Sequence, residues 1–455
     1  MGKSLHDSVA AATSRLRRTP RVATRPAGRG GLKGKAVIAQ SGGPTAVINA
    51  SAAGIIQTAL ANRGVFTGVY GALNGILGIL QEELYDLARE NPAEIDRLRR
   101  SPSAALGTCR HKLKSLEKDL ADYERILEVF KAHDIRYFFY IGGNDSMDTA
   151  AKLARLARET DYEMIAIGVP KTIDNDLAYT DHSPGYGSVA KYSATSVMEA
   201  GRDTEAFYTN DTTTVHELMG RNAGWIAAST GLARRTPEDA PHIILLPEVP
   251  FVIEKFIEDV RACLKEFKRC FIACGEGVKT PEGEYLGEAG GAFARDAFGH
   301  SQLGGAADAV RAIIEKEVGV KCRTNRPGTA QRNAMHFASK TDAEEAHMAG
   351  KAAVEAALAG VNGKMITLER NSSRGKYVCT TGLADLELVA NGEKRLPREF
   401  INEEGNGITD AFRAYALPLI AGEAEIEIGT DGLPIYARLA KYMVDKRTGR
   451  DYPVR

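Results

Sequence analysis

Apolar and polar positions along this chain fall into a repeated unit: a short apolar run, a polar turn rich in glycine or acid, then a stretch with helical spacing. Ala36-Val37-Ile38-Ala39 is such a run, Gln40 to Thr45 its turn, and Ala46 to Ala61 its helix. The unit recurs at Tyr137-Phe138-Phe139-Tyr140-Ile141, followed by Gly142-Gly143-Asn144-Asp145-Ser146 and a helix through Leu156. It recurs again at residues 164–169, ahead of Pro170-Lys171-Thr172-Ile173-Asp174-Asn175-Asp176. Unbroken apolar runs of this length read as parallel strands covered on both faces. Further strands are expected at Thr213–Leu218, Ile243–Leu246, Cys270–Ala273, Lys321–Thr324 and Met365–Leu368. Strands alternating with helices predict a mostly parallel, doubly wound α/β fold.

Residues 84–104 and 112–134 are charged with helical spacing. In the second, Leu120, Tyr123, Ile126, Leu127 and Phe130 line one face, which predicts a helix packed on the sheet. Residues 279–302 are rich in glycine and poor in aliphatics, the pattern of a mobile loop. Alternation at Glu423–Ile428 fits a small cap or an interface, and no tandem repeat is present. The expected division is a basic, disordered arm over 1–33, a first lobe over 34–175 with a helical insert near 84–134, a second lobe over 176–340, and a return segment with a C-terminal extension over 341–455.

With 59 basic and 59 acidic side chains, bulk charge argues against nucleic acid as a partner. No run approaches the ~18 apolar residues of a membrane span, so no membrane partner is expected. The six cysteines, Cys109, Cys263, Cys270, Cys274, Cys322 and Cys379, include no C-x-x-C pair and read as reduced, mostly buried thiols rather than metal ligands. The arm holds a single acid, Asp7, and resembles a transit peptide in composition; a cytoplasmic protein with a disordered arm is the preferred reading.

Chemistry concentrates where strands end, which is where open α/β sheets bind ligands. The turns at 41–43, 142–146 and 171–176 supply glycines that let backbone N–H groups approach an anion. Asp174 and Asp176 offer a base and a substrate or metal contact, and Lys171 offers charge for a phosphate. Arg110, Arg221, Arg323, Arg326 and Arg332 sit near other strand ends, and guanidinium forks suit phosphate oxygens. The Gly185-Tyr186-Gly187 turn is too partial for a dinucleotide fingerprint, and no Walker A is present.

Together these motifs resemble the phosphofructokinase family, and within it the pyrophosphate-dependent members. The likeness spans roughly residues 33–370, through Ser41-Gly42-Gly43 with Asn49, residues 142–146 and 170–176, Met219-Gly220-Arg221, Cys274-Gly275-Glu276 and Gln331-Arg332. It implies an α/β fold of two similar, doubly wound, mostly parallel lobes with the active-site cleft between them, and reversible phosphoryl transfer from pyrophosphate to the 1-hydroxyl of fructose 6-phosphate, with Mg2+. Asp174 would be the base. Thr172, Asp176, Met219, Gly220, Arg221 and Glu276 would hold the sugar. Arg323, Arg332 and the Thr329 position would meet the 6-phosphate. Gly42, Gly43, Ser146, Arg110 and Lys171 would bind pyrophosphate. Asn144 stands where relatives place a magnesium-binding Asp.

ATP-using relatives have glycine where this chain has Asp145 and Lys171, and a carboxylate at 145 would repel the α-phosphate of a nucleotide. At ~4 Å such a charge is worth about 1–4 kcal/mol. Thr212 replaces a sugar-phosphate arginine that relatives take from a neighbouring subunit, and Pro44 and Val47 alter the first loop. The resemblance also implies a homodimer or homotetramer and room for sedoheptulose 7-phosphate. An ATP-dependent enzyme would need Asp145 and Lys171 to move aside, and a silent regulatory subunit would not need an intact 170–176 loop. A sugar-binding α/β protein without catalysis would need neither the glycine turns nor that loop.

Overall fold

The structure, a computed structural model, describes residues 32–114, 120–160, 162–287, 305–371 and 376–453. Its strands are β1 (Gly34–Gln40), β2 (Phe66–Ala72), β3 (Leu84–Asp86), β4 (Ile135–Gly142), β5 (Ile165–Pro170), β6 (Thr213–Leu218), β7 (Ile243–Leu245), β8 (Cys270–Gly275), β9 (Cys322–Asn325), β10 (Lys364–Arg370) and β11 (Cys379–Asp385). They form a seven-stranded sheet, β11-β10-β5-β4-β1-β2-β3, and a four-stranded sheet, β7-β8-β6-β9. Among these named strands, only the edge pairs β10–β11 and β2–β3 are antiparallel.

The central strands are apolar throughout because both faces are covered. Val37, Ala39, Phe138, Tyr140 and Ala166 pack into one core. Their neighbours Ala36, Ile38, Tyr137, Phe139 and Ile167 pack into the opposite one. On that second face α1 (Ile48–Ala61) lies against a helix from the far end of the chain. Three helices matter further: α2 (Asn144–Glu159), α3 (Tyr186–Ala206) and α4 (Lys340–Leu358). The contact of α1 with α4 is close because two glycines face backbone. A Cβ on Gly54 would meet the His347 carbonyl oxygen at 2.3 Å, and one on Gly350 would meet that of Ser51 at 2.0 Å. Through α4, β10 and β11 the chain returns to the first sheet after building the second.

Several expectations need correction. Helix α1 starts at Ile48 rather than Ala46, because the Thr45 hydroxyl accepts hydrogen bonds from the Val47 and Ile48 N–H groups at 3.3 and 2.9 Å. The 84–104 stretch begins as edge strand β3, and its one α-helix is short, Pro92–Arg97. In the 112–134 stretch the helix runs from Ala121 to His133. Leu120 precedes it and is 57% exposed, whereas Tyr123, Ile126 and Phe130 are buried. Of the 279–302 loop, Lys279 and Tyr285 form an antiparallel bridge; 288–302 lies outside the described residues, as do arm residues 1–31. The tail folds back on its own chain. Met443 bridges Tyr85 in antiparallel fashion, and the Val444 N–H donates to the Leu84 carbonyl at 2.8 Å, so the tail covers the β3 edge.

All six cysteines are free, and five are buried. The Gly185-Tyr186-Gly187 turn opens α3, and its glycines serve packing: a Cβ on Gly187 would lie 2.4 Å from the Leu419 carbonyl oxygen.

Candidate active site

Parallel pairing places the ends of β1, β4 and β5 side by side, so the turns at 41–43, 143–146 and 171–176 are neighbours. Gly42 has φ +77, a left-handed conformation that favours glycine. Its N–H donates to the Cys109 carbonyl at 3.0 Å, and its own carbonyl accepts from the Thr108 hydroxyl at 2.6 Å. These bonds bring the Arg110 segment beside the first turn. Gly142 is required by Ser146, whose Oγ would lie 1.9 Å from a Cβ at that position.

Lys171 is only 4% exposed. Its N–H donates to the Gly142 carbonyl at 3.0 Å, and its Nζ donates to the Gly43 carbonyl at 2.7 Å. Burial pushes its pKa down to about 8; Asp174 and Asp176 oppose that fall, while Arg332 and Arg110 add to it. The second sheet enters through Arg332, because a Cβ on Gly43 would lie 2.9 Å from its Nη1. The facing carboxyl ends of both sheets therefore meet at Gly43.

Asp174 is half-buried, and its N–H donates to the Thr172 hydroxyl at 3.1 Å. Burial raises its pKa well above the ordinary carboxylate range, and the charges of Asp176 and Glu276 add to the rise. Lys171 and Arg221 act in the other direction. Glu276 is pushed up to about 7, by burial first and then by Glu217, while its carboxylate accepts the Gly220 N–H at 3.2 Å. The Met219 N–H donates to the Gln331 side-chain carbonyl at 3.1 Å. The ends of β6 and β8 thus hold Met219, Gly220, Arg221 and Glu276 together. Asp174 and Asp176 on one turn with Lys171, together with Glu276, Arg221 and Arg332 from the second sheet's loops, are suited to moving a proton and binding phosphate.

Asn144 Nδ2 donates to Asp176 at 3.2 Å. The other oxygens of this pair, Asn144 Oδ1 and Asp176 Oδ1, are buried and have no hydrogen-bond partner among the described residues. Two hard oxygens without a hydrogen-bond partner on one bonded pair of side chains fit a magnesium ion.

Other sequence-predicted residues are placed differently. Arg323 pairs with Asp203 at 2.7 Å and with Asp211, and lies 5.0 Å from the Phe207 ring, so acids of its own lobe engage it. Thr329 is exposed. Asp145 forms an ion pair at 2.9 Å with Lys112, which the sequence reading passed over although it follows Arg110 in the run Arg110-His111-Lys112. A second passed-over group is a buried cluster behind the 170–176 turn. His182 lies between Asp181, at 2.9 Å, and Glu345, at 2.6 Å, and Arg370 pairs with Asp181 at 3.1 Å. Ligand-type atoms of His182, Glu345 and Cys379 lie within 4.8 Å of one another. Both His182 nitrogens are committed to carboxylates and a guanidinium stands alongside, so this is an ionic network.

A doubly wound frame that presents glycine turns, cations and carboxylates on the facing strand ends of two sheets defines a phosphoryl-transfer enzyme. The family model described as Phosphofructokinase matches residues 35–357, and the chain belongs to that family. The pyrophosphate–fructose 6-phosphate 1-phosphotransferase of Xanthomonas campestris pv. campestris is 49% identical over 91% of this chain and 98% of its own. Its counterpart from Halomonas elongata is 45% identical over 90% of this chain and 97% of its own. The crystal structure of the pyrophosphate-dependent phosphofructokinase from Marinobacter aquaeolei superimposes with a TM-score of 0.84 at 43% identity, covering 92% of this chain and all of that one.

Proposed function

We propose that this chain transfers a phosphoryl group reversibly from pyrophosphate to the 1-hydroxyl of fructose 6-phosphate. The observation that carries the reading is the donor pocket, where Lys171 is locked onto Gly43 and Asp145 is held by Lys112. A nucleotide α-phosphate would have to enter beside that carboxylate, whereas pyrophosphate ends before it. Relatives matched over nearly their full length carry the same activity in their names.

In this mechanism the first lobe, 34–175, binds the donor and the second, 176–340, the sugar phosphate. Asp174 takes the proton of the 1-hydroxyl as its oxygen attacks the nearer phosphorus and the bridging P–O bond breaks to release phosphate. Thr172, Asp176, Met219, Gly220 and Glu276 orient the sugar, and Arg332 meets its 6-phosphate. Gly42, Gly43, Ser146 and Arg110 cradle pyrophosphate, while Lys171 and Arg221 balance the charge on the moving group. Asn144 and Asp176 would hold magnesium, which neutralises phosphate oxygens when bound.

The resemblance assigns Arg323 with Arg332 to the 6-phosphate, a role for which its ion pairs with Asp203 and Asp211 would have to open, and it supports a homo-oligomer. The small side chain of Thr329 leaves room for sedoheptulose 7-phosphate as a second acceptor. Among the described residues no helix is long and apolar enough to cross a membrane, and a cytoplasmic location goes with this reading. The test is a coupled assay of purified protein with fructose 6-phosphate, Mg2+ and either pyrophosphate or ATP. Formation of fructose 1,6-bisphosphate with pyrophosphate is expected, and turnover with ATP alone would overturn the donor assignment.

A further inference from the structure

Asn175, between the two aspartates of the catalytic turn, has φ +53 and is fully buried. The left-handed conformation turns the chain so that successive carboxylates leave on the open side, and asparagine is among the few residues that adopt it readily. Its side chain points the other way. Its carbonyl oxygen accepts the Ser183 N–H at 3.1 Å, and its NH2 donates to the Tyr415 hydroxyl at 2.9 Å.

The third partner of that amide is Lys394, a lysine only 6% exposed that arrives from the return segment. Its Nζ donates to Asn175 Oδ1 at 3.2 Å, to the Thr180 carbonyl at 3.3 Å and to the Asp181 carbonyl at 2.9 Å. Its own N–H donates to the Asp176 carbonyl at 2.7 Å. Trp225 fixes it from the second lobe: the indole N–H donates to the Lys394 carbonyl at 3.0 Å, and Nζ lies 5.2 Å from the ring centre. A buried ammonium is costly unless its site uses the charge. Here one residue grips the catalytic turn at 175, 176, 180 and 181 and is itself seated on the other lobe.

We propose that Lys394 is a positioning residue: it braces the Asn175 turn from beneath and so fixes where Asp174 and Asp176 stand relative to the substrates. The proposal rests on the assignment of Asp174 as the base. Misplacement of a reacting group by 1 Å costs about 10²-fold in rate, and substrate contacts made by Arg110, Arg221, Arg332 and Lys171 do not pass through Lys394.

Lys394→Met, which keeps the stem and removes the ammonium, is compared with Lys394→Gln, which keeps a donor. Steady-state kinetics with pyrophosphate and fructose 6-phosphate are read alongside thermal unfolding of each variant. Lys394→Met is expected to lower kcat by one to two orders of magnitude with the KM for pyrophosphate within about threefold of the parent, and Lys394→Gln to recover part of kcat. A Lys394→Met protein with parental kcat overturns the proposal. So does a fall in kcat that tracks only the folded fraction, or a Lys394→Gln protein that folds as the parent does yet shows no recovery. Where Lys394→Met does not fold, kcat of Lys394→Gln decides: a value midway below the parent supports the brace and a parental value overturns it. Asp174→Asn run in parallel separates the two readings, because a fully active Asp174→Asn would instead remove the base assignment.

Discussion

Lys171 Nζ donates to the carbonyl oxygen of Gly43 at 2.7 Å, across 128 residues of sequence. The bond ties the turn after β5 to the turn after β1 and leaves the ammonium beside the place where Arg332 reaches across from the second sheet. The turns proposed to bind the donor and carry the base, and the arginine proposed for the sugar phosphate, therefore share one point of the fold.

Replacing Asp174, the proposed base, separates rate from stability. Asp174→Asn is expected to lower kcat by about 10²–10⁴-fold, the usual worth of a general base. The folded-state pKa of Asp174 is raised. The fold thus favours the protonated acid, and its ionisation lowers stability as pH rises past the unfolded value. The neutral amide removes that penalty, so the variant should unfold at an equal or higher temperature than the parent at pH 7.5. A variant that is both inactive and markedly less stable would speak against this electrostatic description.

The same shift sets a pH limb. Asp174 must be ionised to accept a proton, and its neighbour Glu276 sits at about 7. A profile of kcat/KM should therefore rise with pH and level off near neutrality, not near the ordinary carboxylate value of about 4. A profile already flat at pH 5 would contradict the burial-driven rise.

Much of this was legible in sequence because β1, β4 and β5 are covered on both faces and read as unbroken apolar runs. β2 escaped notice because Gly68 and Gly71 interrupt its run. Gly71 is there for Tyr85, whose ring carbon Cζ would lie 2.8 Å from a Cβ. Lys394 sits in the run Gly392-Glu393-Lys394-Arg395, which reads as solvated surface, and only the fold shows that it points inward under the turn. Likewise, nothing local to Arg323 reveals that Asp203 and Asp211 claim it.

The ionic network behind the turn makes stability depend on alkaline pH. Burial alone would lower the His182 pKa, but Glu345 and Asp181 outweigh it and raise it to about 9. With an unfolded value of about 6.5, its contribution is full below pH 6.5 and fades as pH rises through 9, on the order of 3 kcal/mol in all. Thermal unfolding of the parent should weaken over that window. His182→Gln should be less stable at pH 6 by about 3–5 kcal/mol and should lose this dependence; equal pH dependence in both proteins would refute the assignment.

Glycine at 43 is a matter of donor space. In Gly43→Ala the new methyl would meet the end of the Arg332 side chain, which can shift, so the fold should survive. The methyl and the displaced guanidinium would crowd pyrophosphate, and its KM should rise roughly five- to tenfold, about 1–1.4 kcal/mol. By contrast, Gly277→Ala sets a Cβ 1.8 Å from the Arg221 backbone oxygen and should impair fructose 6-phosphate binding through the moved loop.

The most direct test of the donor assignment is kcat/KM for pyrophosphate and for ATP, measured side by side in the parent and in Asp145→Gly. The parent should turn over with pyrophosphate, and the variant should gain roughly fivefold or more with ATP, the effect of removing one like charge at close range. A variant whose ATP activity stays where the parent's is would contradict the claim that the Asp145 carboxylate keeps nucleotides out.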